Sequence, residues 1–237
     1  MSAKVISVRG HHFYAGAISK DSVVVDLGAH LGEFATVIHR LFGCQCYAVE
    51  AFPALYTRIR ATPSVKKFNY AVAEVNGPVT MYVARNPESH SLHRLPNGAT
   101  EGTMTVNGVT LESFLHDHNL MTVDLLKVDI EGAEFALFRS LSDETVGRIK
   151  QITVEFHDFL TAEPAKEQIR AIKQRLRSLG FFCIVFSLTD HTNVLFVNVA
   201  QCDISLIERF SLKYLKKYFE GGKRLLQRKV HVSPISQ

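Results

Sequence analysis

The run Ser22-Val23-Val24-Val25-Asp26-Leu27-Gly28 constrains the fold more than any other part of the chain. It is almost wholly apolar, lacks the alternation of a half-exposed strand, and stops on a glycine. A continuous apolar strand is buried on both faces, the habit of parallel sheets covered by helices. Leu31, Phe34, Ala35, Ile38 and Leu41 follow at helical spacing, and residues 44–50 read as a second strand. Strand, glycine turn, helix and strand make a βαβ unit.

The alternation continues less regularly. Residues 65–73 and 78–84 are predicted strands, and Asn76-Gly77 between them favours a hairpin or a tight connection. Residues 85–104, with Pro87, Pro96 and Asn97-Gly98, show little periodicity and are predicted to form a long surface loop of the kind that serves as a lid. Residues 109–120 suggest a short helix, 123–129 a strand ending in acid, 133–141 a helix and 149–156 a core strand. Residues 165–179 form a helix with Ile169, Ile172, Leu176 and Leu179 on one face and Gly180 as its stop.

The next two runs decide the topology. Residues 181–188 and 194–199 are both strand-like, with only residues 189–193 between them. A parallel pair needs a crossover of about a dozen residues or more, so these strands are antiparallel neighbours or form a hairpin-like arrangement. The expectation is an α/β domain over residues 1–202, a mostly parallel sheet with one antiparallel strand near its C-terminal edge.

Charge separates a tail from this body. Residues 203–237 hold 8 of the 27 basic and 3 of the 23 acidic residues, so the rest is near neutral and the net charge of +4 belongs to the tail. A uniformly basic nucleic-acid-binding surface is thereby disfavoured. Ile207, Phe210, Tyr214, Leu215 and Tyr218 recur at helical spacing with Arg209, Lys213, Lys216 and Lys217 largely off that stripe. This reads as a basic amphipathic appendage, which either packs on the domain or docks residues 203–230 on an anionic partner such as a membrane surface or a charged glycan. No apolar run reaches the roughly 20 residues that span a bilayer, and residues 1–9 lack the apolar core of a signal peptide, so a cytoplasmic protein is expected. Cys44, Cys46, Cys183 and Cys202 form no CxxC pair and read as structural thiols.

Gly28-Ala29-His30-Leu31-Gly32 sits where a strand enters a helix, the place where open α/β sheets bind ligands. The position that a dinucleotide fold reserves for its second glycine is held by His30, whose side chain obstructs a pyrophosphate. A nucleoside without phosphates fits better, and S-adenosylmethionine is such a ligand. Glu50, ending the next strand, can accept hydrogen bonds from both ribose hydroxyls, each charge-assisted bond contributing roughly 1.5–3 kcal/mol. Gly28 and Gly32 would leave room for the amino-acid moiety.

Several segments together resemble the successive motifs of the FkbM family of S-adenosylmethionine-dependent methyltransferases, over about residues 20–200. They are Val25 to Phe34, Val49-Glu50-Ala51-Phe52-Pro53, Asn69-Tyr70-Ala71-Val72-Ala73, Thr110-Leu111-Glu112-Ser113-Phe114, and the most specific, Leu126-Lys127-Val128-Asp129-Ile130-Glu131-Gly132-Ala133-Glu134. The resemblance implies a Rossmann-like class I methyltransferase with a seven-stranded sheet, and O-methylation of sugars and related natural-product hydroxyls. His30 departs from the family, which commonly has Asn there. On this reading Asp26, Gly28, Ala29, His30, Gly32, Glu50, Ala71 and Asp129 contact the cofactor.

Asp129 ends a strand beside the one bearing Gly28 and is expected near the cofactor's methionine portion and the acceptor hydroxyl. Methyl transfer is an in-line displacement, so holding the acceptor oxygen close and aligned supplies much of the catalysis. His157, just past a core strand, is the expected base. A divalent metal held by Asp129 with Glu155 or His157 is the alternative, lowering the hydroxyl's pKa by Lewis acidity. Glu131 reads either as a helix N-terminal acid or as a substrate contact. His90 and His93, in the predicted loop, are further substrate contacts. His11-His12, His90 with His93, and His116 with His118 have spacings that metal ligands could use, but solvated loop or helix-face residues are the preferred reading. The turn Asp129-Ile130-Glu131-Gly132 has no proline and no aromatic platform, which argues against nucleobase N-methylation. The rival readings are a nicotinamide-dependent oxidoreductase and a non-catalytic module that keeps the cofactor fold.

Overall fold

The computed structural model describes residues 5–84, 90–92, 100–157, 165–186 and 193–204. It opens with β1 (Val5–Val8) and β2 (His11–Tyr14), paired antiparallel about Arg9 and Gly10, whose φ values of 52° and 88° suit a tight two-residue turn. Next come β3 (Val23–Leu27), α1 (Glu33–Phe42), β4 (Gln45–Val49), α2 (Pro53–Tyr56) and β5 (Val65–Phe68). A side sheet follows, made of β6 (Ala71–Val72), β7 (Gly77–Ala84) and β8 (Thr100–Val109). The chain returns through α3 (Leu111–Asp117), β9 (Leu125–Val128), α4 (Glu134–Ser140), α5 (Asp143–Gly147) and β10 (Gln151–Glu155). It then forms α6 (Ala165–Ser178), β11 (Phe181–Val185) and β12 (Asn193–Asn198).

The main sheet has seven strands in the order β11-β12-β10-β9-β3-β4-β5. β12 runs antiparallel to both neighbours, β10 and β11, and the other pairs are parallel. The short connection before β12 leaves no other arrangement.

The apolar run of β3 is explained by burial on both faces. Val25 and Leu27 join a core with Phe114, Leu137, Phe138, Ile169 and Leu176 from α3, α4 and α6. Val24 points the other way, into a second core with Phe34, Ala35 and Ile38 of α1 and Phe13 of β2. Each such side chain contributes roughly 1.5–3 kcal/mol on burial. The β1–β2 hairpin is fixed to β10 by Gln151, whose amide accepts from the Tyr14 backbone N–H (2.8 Å) and donates to the Tyr14 carbonyl (3.2 Å).

Three expectations are corrected. Asn76-Gly77 makes the tight connection, with Gly77 at φ 111°, but not the hairpin, since β6 and β7 lie on opposite sides of β8. Of the loop expected over residues 85–104, Thr100 to Met104 belong instead to β8, paired antiparallel with β7. The helix expected over residues 109–120 is only α3. Residues 85–89 and 93–99, with His93, lie outside the described residues, as does the basic appendage beyond residue 204. All four cysteines are free thiols. No helix among the described residues is long and apolar enough to cross a membrane.

Candidate functional site

The C-terminal ends of β3, β4, β9 and β10 open into one cavity of about 300 Å³, walled on one side by Met81 of the side sheet. Its floor is the β3–α1 loop. The backbone N–H groups of Gly28 and Ala29 both donate to the Val49 carbonyl at 3.0 Å, hooking the loop over the end of β4. His30 is left-handed (φ 52°), a conformation that Asn adopts more readily than most side chains. Its N–H donates to Glu50 Oε2 (2.8 Å), while Phe52 N–H donates to Glu50 Oε1 (2.8 Å).

Burial pushes the Glu50 carboxyl up, against the pull of those two N–H groups and Lys127. A carboxylate offers about four acceptor positions, so each oxygen keeps one for a ligand. The glycines have structural reasons of their own. A Cβ on Gly32 (φ 72°) would sit 2.7 Å from Ile59 Cγ2, and Gly28 (φ 73°) lies against the Asp129 backbone.

Beside this loop lies a dense group of charges. Lys127 is paired in register with Asp26 across β9 and β3, is 4 % exposed, and has its Nζ 3.0 Å from Asp26 Oδ1 and 3.4 Å from Asp129 Oδ2. The contact with Asp26 is Coulombic, since neither Asp26 oxygen accepts a well-oriented hydrogen bond. Lys127 also donates to the Gly28 carbonyl (2.7 Å). Burial alone would discharge this ammonium, but the two aspartates outweigh it and its pKa is raised. For Asp129, burial is likewise outweighed, here by Lys127 and by His11, and its pKa falls well below the usual carboxylate range. His11 reaches it from β2, with Nε2 3.2 Å from Asp129 Oδ2.

His157 is clamped. Its Nδ1 donates to Glu134 Oε1 (2.8 Å), and Glu134, fully buried, also accepts from the N–H groups of Ile130 (3.1 Å) and Gly132 (3.1 Å). His157 Nε2 faces Glu131 Oε2 (3.5 Å) and Asp129 Oδ1 (3.8 Å). Burial would lower its pKa, but three carboxylates raise it to about 9. Glu131, with burial and neighbouring acids outweighing the His157 cation, is pushed up to about 7. Burial and Asp129 also raise Glu155.

Of the residues singled out from sequence, Gly28, Ala29, His30, Glu50 and Ala71 line the cavity on the loop side. Asp129, Glu131, Glu155 and His157 line the opposite side, and His90 lines it from the strap 90–92. Asp26 and Gly32 stand behind the wall. Ser91 of that strap pairs with Tyr82 of β7 and donates through Oγ to the Glu131 carbonyl. His90 Nδ1 accepts from Ala84 N–H (3.0 Å), and burial, then His30, lowers its pKa.

Sequence reasoning missed Lys127 and His11 as members of the site. Lys127 carried a signal, a lone cation inside an apolar strand, which must be paired when buried. His11 carried only its pairing with His12, and both are buried in β2 rather than solvated. His116 is exposed on α3, while His118 packs on Phe68 and Phe114.

His11, Asp129 and Glu155, and also Asp129, Glu131 and His157, bring ligand-type atoms within 4.8 Å of one another. The donor set does not fit a divalent ion. Asp129 Oδ2 already faces the Lys127 ammonium at 3.4 Å and His11 Nε2 at 3.2 Å. An ion placed there would sit against cations the protein itself supplies.

An acid ending the second parallel strand, a glycine loop beneath it and an inserted antiparallel seventh strand define a class I methyltransferase that uses S-adenosylmethionine. Within that class the chain belongs to the FkbM methyltransferase family, whose domain, described as the methyltransferase FkbM domain, matches residues 26–183. It is similar to Methyltransferase 1 of Beauveria bassiana (strain ARSEF 2860), 26% identical over 188 residues that cover 68% of this chain and 72% of the relative. Among solved structures it is similar to Aeropyrum pernix fibrillarin with natively bound S-adenosyl-L-methionine (14% identity, 82% and 81% of the two chains, TM-score 0.41). M. capricolum TrmK in complex with S-adenosyl-homocysteine gives 10% identity, 92% and 85% of the two chains, and a TM-score of 0.43.

Proposed function

We propose that the protein transfers the methyl group to a hydroxyl oxygen of a sugar, glycan or related natural product. The observation that carries this reading is the group Asp129, Glu131, Glu155 and His157, gathered on the cavity wall at the ends of β9 and β10. Such groups hold a hydroxyl by hydrogen bonds and can accept its proton, and a hydroxyl is a poor nucleophile until it sheds that proton. The cofactor supplies an electrophilic methyl on a sulfonium. Glu50 is suited to hold ribose, and the fixed backbone of the β3–α1 loop orients what lies above it. The acidic wall favours a neutral polyol or a cation over an anionic acceptor. The turn 129–132 presents no aromatic surface on which a base could stack, in keeping with a hydroxyl acceptor.

Incubation with S-adenosylmethionine and a panel of methyl glycosides, with product analysis by mass spectrometry and NMR, tests the reading. A methyl ether is expected. A methyl found on nitrogen or carbon would overturn it.

A further inference from the structure

We infer that Glu131 is the general base that takes the acceptor's proton, and that His157 is the positioning residue that holds and charges it. This rests on the O-methylation reading above. Seven carboxylates lie in or beside the cavity, and most are already committed, Glu33 among them through Arg9 at 2.8 Å. Asp26 is sealed against Lys127, Glu134 is filled by two backbone N–H groups and His157, and Glu50 takes one N–H on each oxygen. Asp129 faces Lys127 and His11 through one oxygen and His157 through the other. Glu155 has the like-charged Asp129 beside it and no cation within ion-pair distance among the described residues.

Glu131 differs from all of these. It stands at the cavity wall with its carboxylate about one-quarter exposed, and its Oε2 lies 3.5 Å from His157 Nε2. Its backbone is held left-handed (φ 50°), a conformation unfavourable for a non-glycine residue and tolerated where surroundings enforce it. Here the enforcement is visible. The Ser91 hydroxyl donates to the Glu131 carbonyl on one side, and Glu134 binds the flanking Ile130 and Gly132 N–H groups on the other.

His157 cannot fill the same office. Its Nδ1–H is spent on Glu134, and two carboxylates facing Nε2 keep a proton there too. The pKa directions agree, with Glu131 near 7 and His157 near 9, which matches the first to a proton acceptor and the second to a fixed cation at neutral pH. In the step, the acceptor O–H bond breaks and its proton passes to a Glu131 oxygen while that acceptor oxygen bonds to the methyl carbon. The electrons of the carbon–sulfur bond stay on sulfur. Sulfonium and carboxylate are consumed, thioether and carboxylic acid are formed, and the acid then returns its proton to water.

The test uses the full chain with methyl α-D-glucopyranoside and methyl α-L-rhamnopyranoside as acceptor probes, following methyl ether and S-adenosylhomocysteine release against pH. Glu131→Gln should lower kcat by about 10²–10⁴-fold with little change in the affinity for S-adenosylhomocysteine. The wild-type acidic limb should vanish in that variant and move to higher pH in His157→Asn, because removing the cation makes Glu131 harder to ionise. Should Glu131→Gln fail to fold, Glu131→Ala assayed with added formate serves instead, and recovery of rate with formate is expected. The assignment is overturned if Glu131→Gln keeps kcat within a few-fold, if the limb survives there and disappears in Glu155→Gln, or if formate restores nothing. Should the unmodified protein form no methyl ether with either probe while transferring methyl to nitrogen or carbon, the O-methylation reading itself fails, which is told apart because no variant is involved.

Discussion

Gly28 and Asp129 touch through their backbones: a Cβ atom on Gly28 would fall 1.7 Å from the Asp129 carbonyl oxygen. The β3–α1 loop and the acidic strand end are therefore held in direct register, with no side chain between them to adjust.

Gly28→Ala should accordingly be severe. It adds a left-handed alanine to a clash with backbone that cannot rotate away, at a combined cost of about 3 kcal/mol or more. Urea unfolding would measure it. Gly10, at φ 88° but with nothing within 4 Å, is the control, and Gly10→Asn should cost under about 1 kcal/mol.

Lys127→Met should destabilise the protein by roughly 3–5 kcal/mol, because it strands the buried Asp26 and leaves Asp129 with fewer cations. The double variant with Asp26→Asn should recover part of that loss, and a double-mutant cycle by denaturation reads the coupling directly.

Stability should depend on pH through His157 and Glu131 with distinct windows. His157 has its pKa raised from 6.5 to about 9, so its contribution is full below 6.5 and is lost as pH rises through 9. The gap between wild type and His157→Gln should be on the order of 3 kcal/mol near pH 6 and close above pH 9. Glu131 is raised from 4.5 to about 7, so the wild type loses stability as pH climbs through that range. Glu131→Gln escapes this loss and should be the more stable protein above pH 7, a trade of stability for activity typical of functional groups. Thermal melts across pH 5–10 would check both.

Glu50→Ala should weaken S-adenosylhomocysteine binding by about 10²-fold or more, since it removes two charge-assisted acceptors and leaves the His30 and Phe52 N–H groups unpaired. His30→Asn should hold affinity within a few-fold, because what the loop needs there is a left-handed backbone and an N–H, both of which Asn supplies. Calorimetry separates the two outcomes.

The main sheet was legible because its strands obey one rule. Val23 to Leu27 and Leu125 to Val128 are buried on both faces, and a run buried on both faces shows no alternation. The side sheet obeys no such rule. β8 is exposed along most of its first half, so Thr100 to Met104 carry neither apolar period nor turn signal to mark a strand. At Asn76-Gly77 the turn chemistry was legible and the pairing was not, since which strand lies beside β7 depends on β8, more than 20 residues away. In the site, Asp129 and Glu50 announce themselves as strand-end acids. His11 lies 118 residues from Asp129, and only the docking of β2 on β10 brings them together.

β12 sits between β10 and β11, yet it is made after both. On the ribosome, β10 and β11 must therefore wait with unpaired edges until residues 193–198 have cleared the exit tunnel. Among the described residues β11 has no other partner in the main sheet, so a nascent chain halted before residue 193 would carry Phe181 to Val185 as an apolar strand without that partner. The order of synthesis thus makes β12 a keystone, and the interval before its arrival is when the main sheet is most open to chaperones and to misassociation.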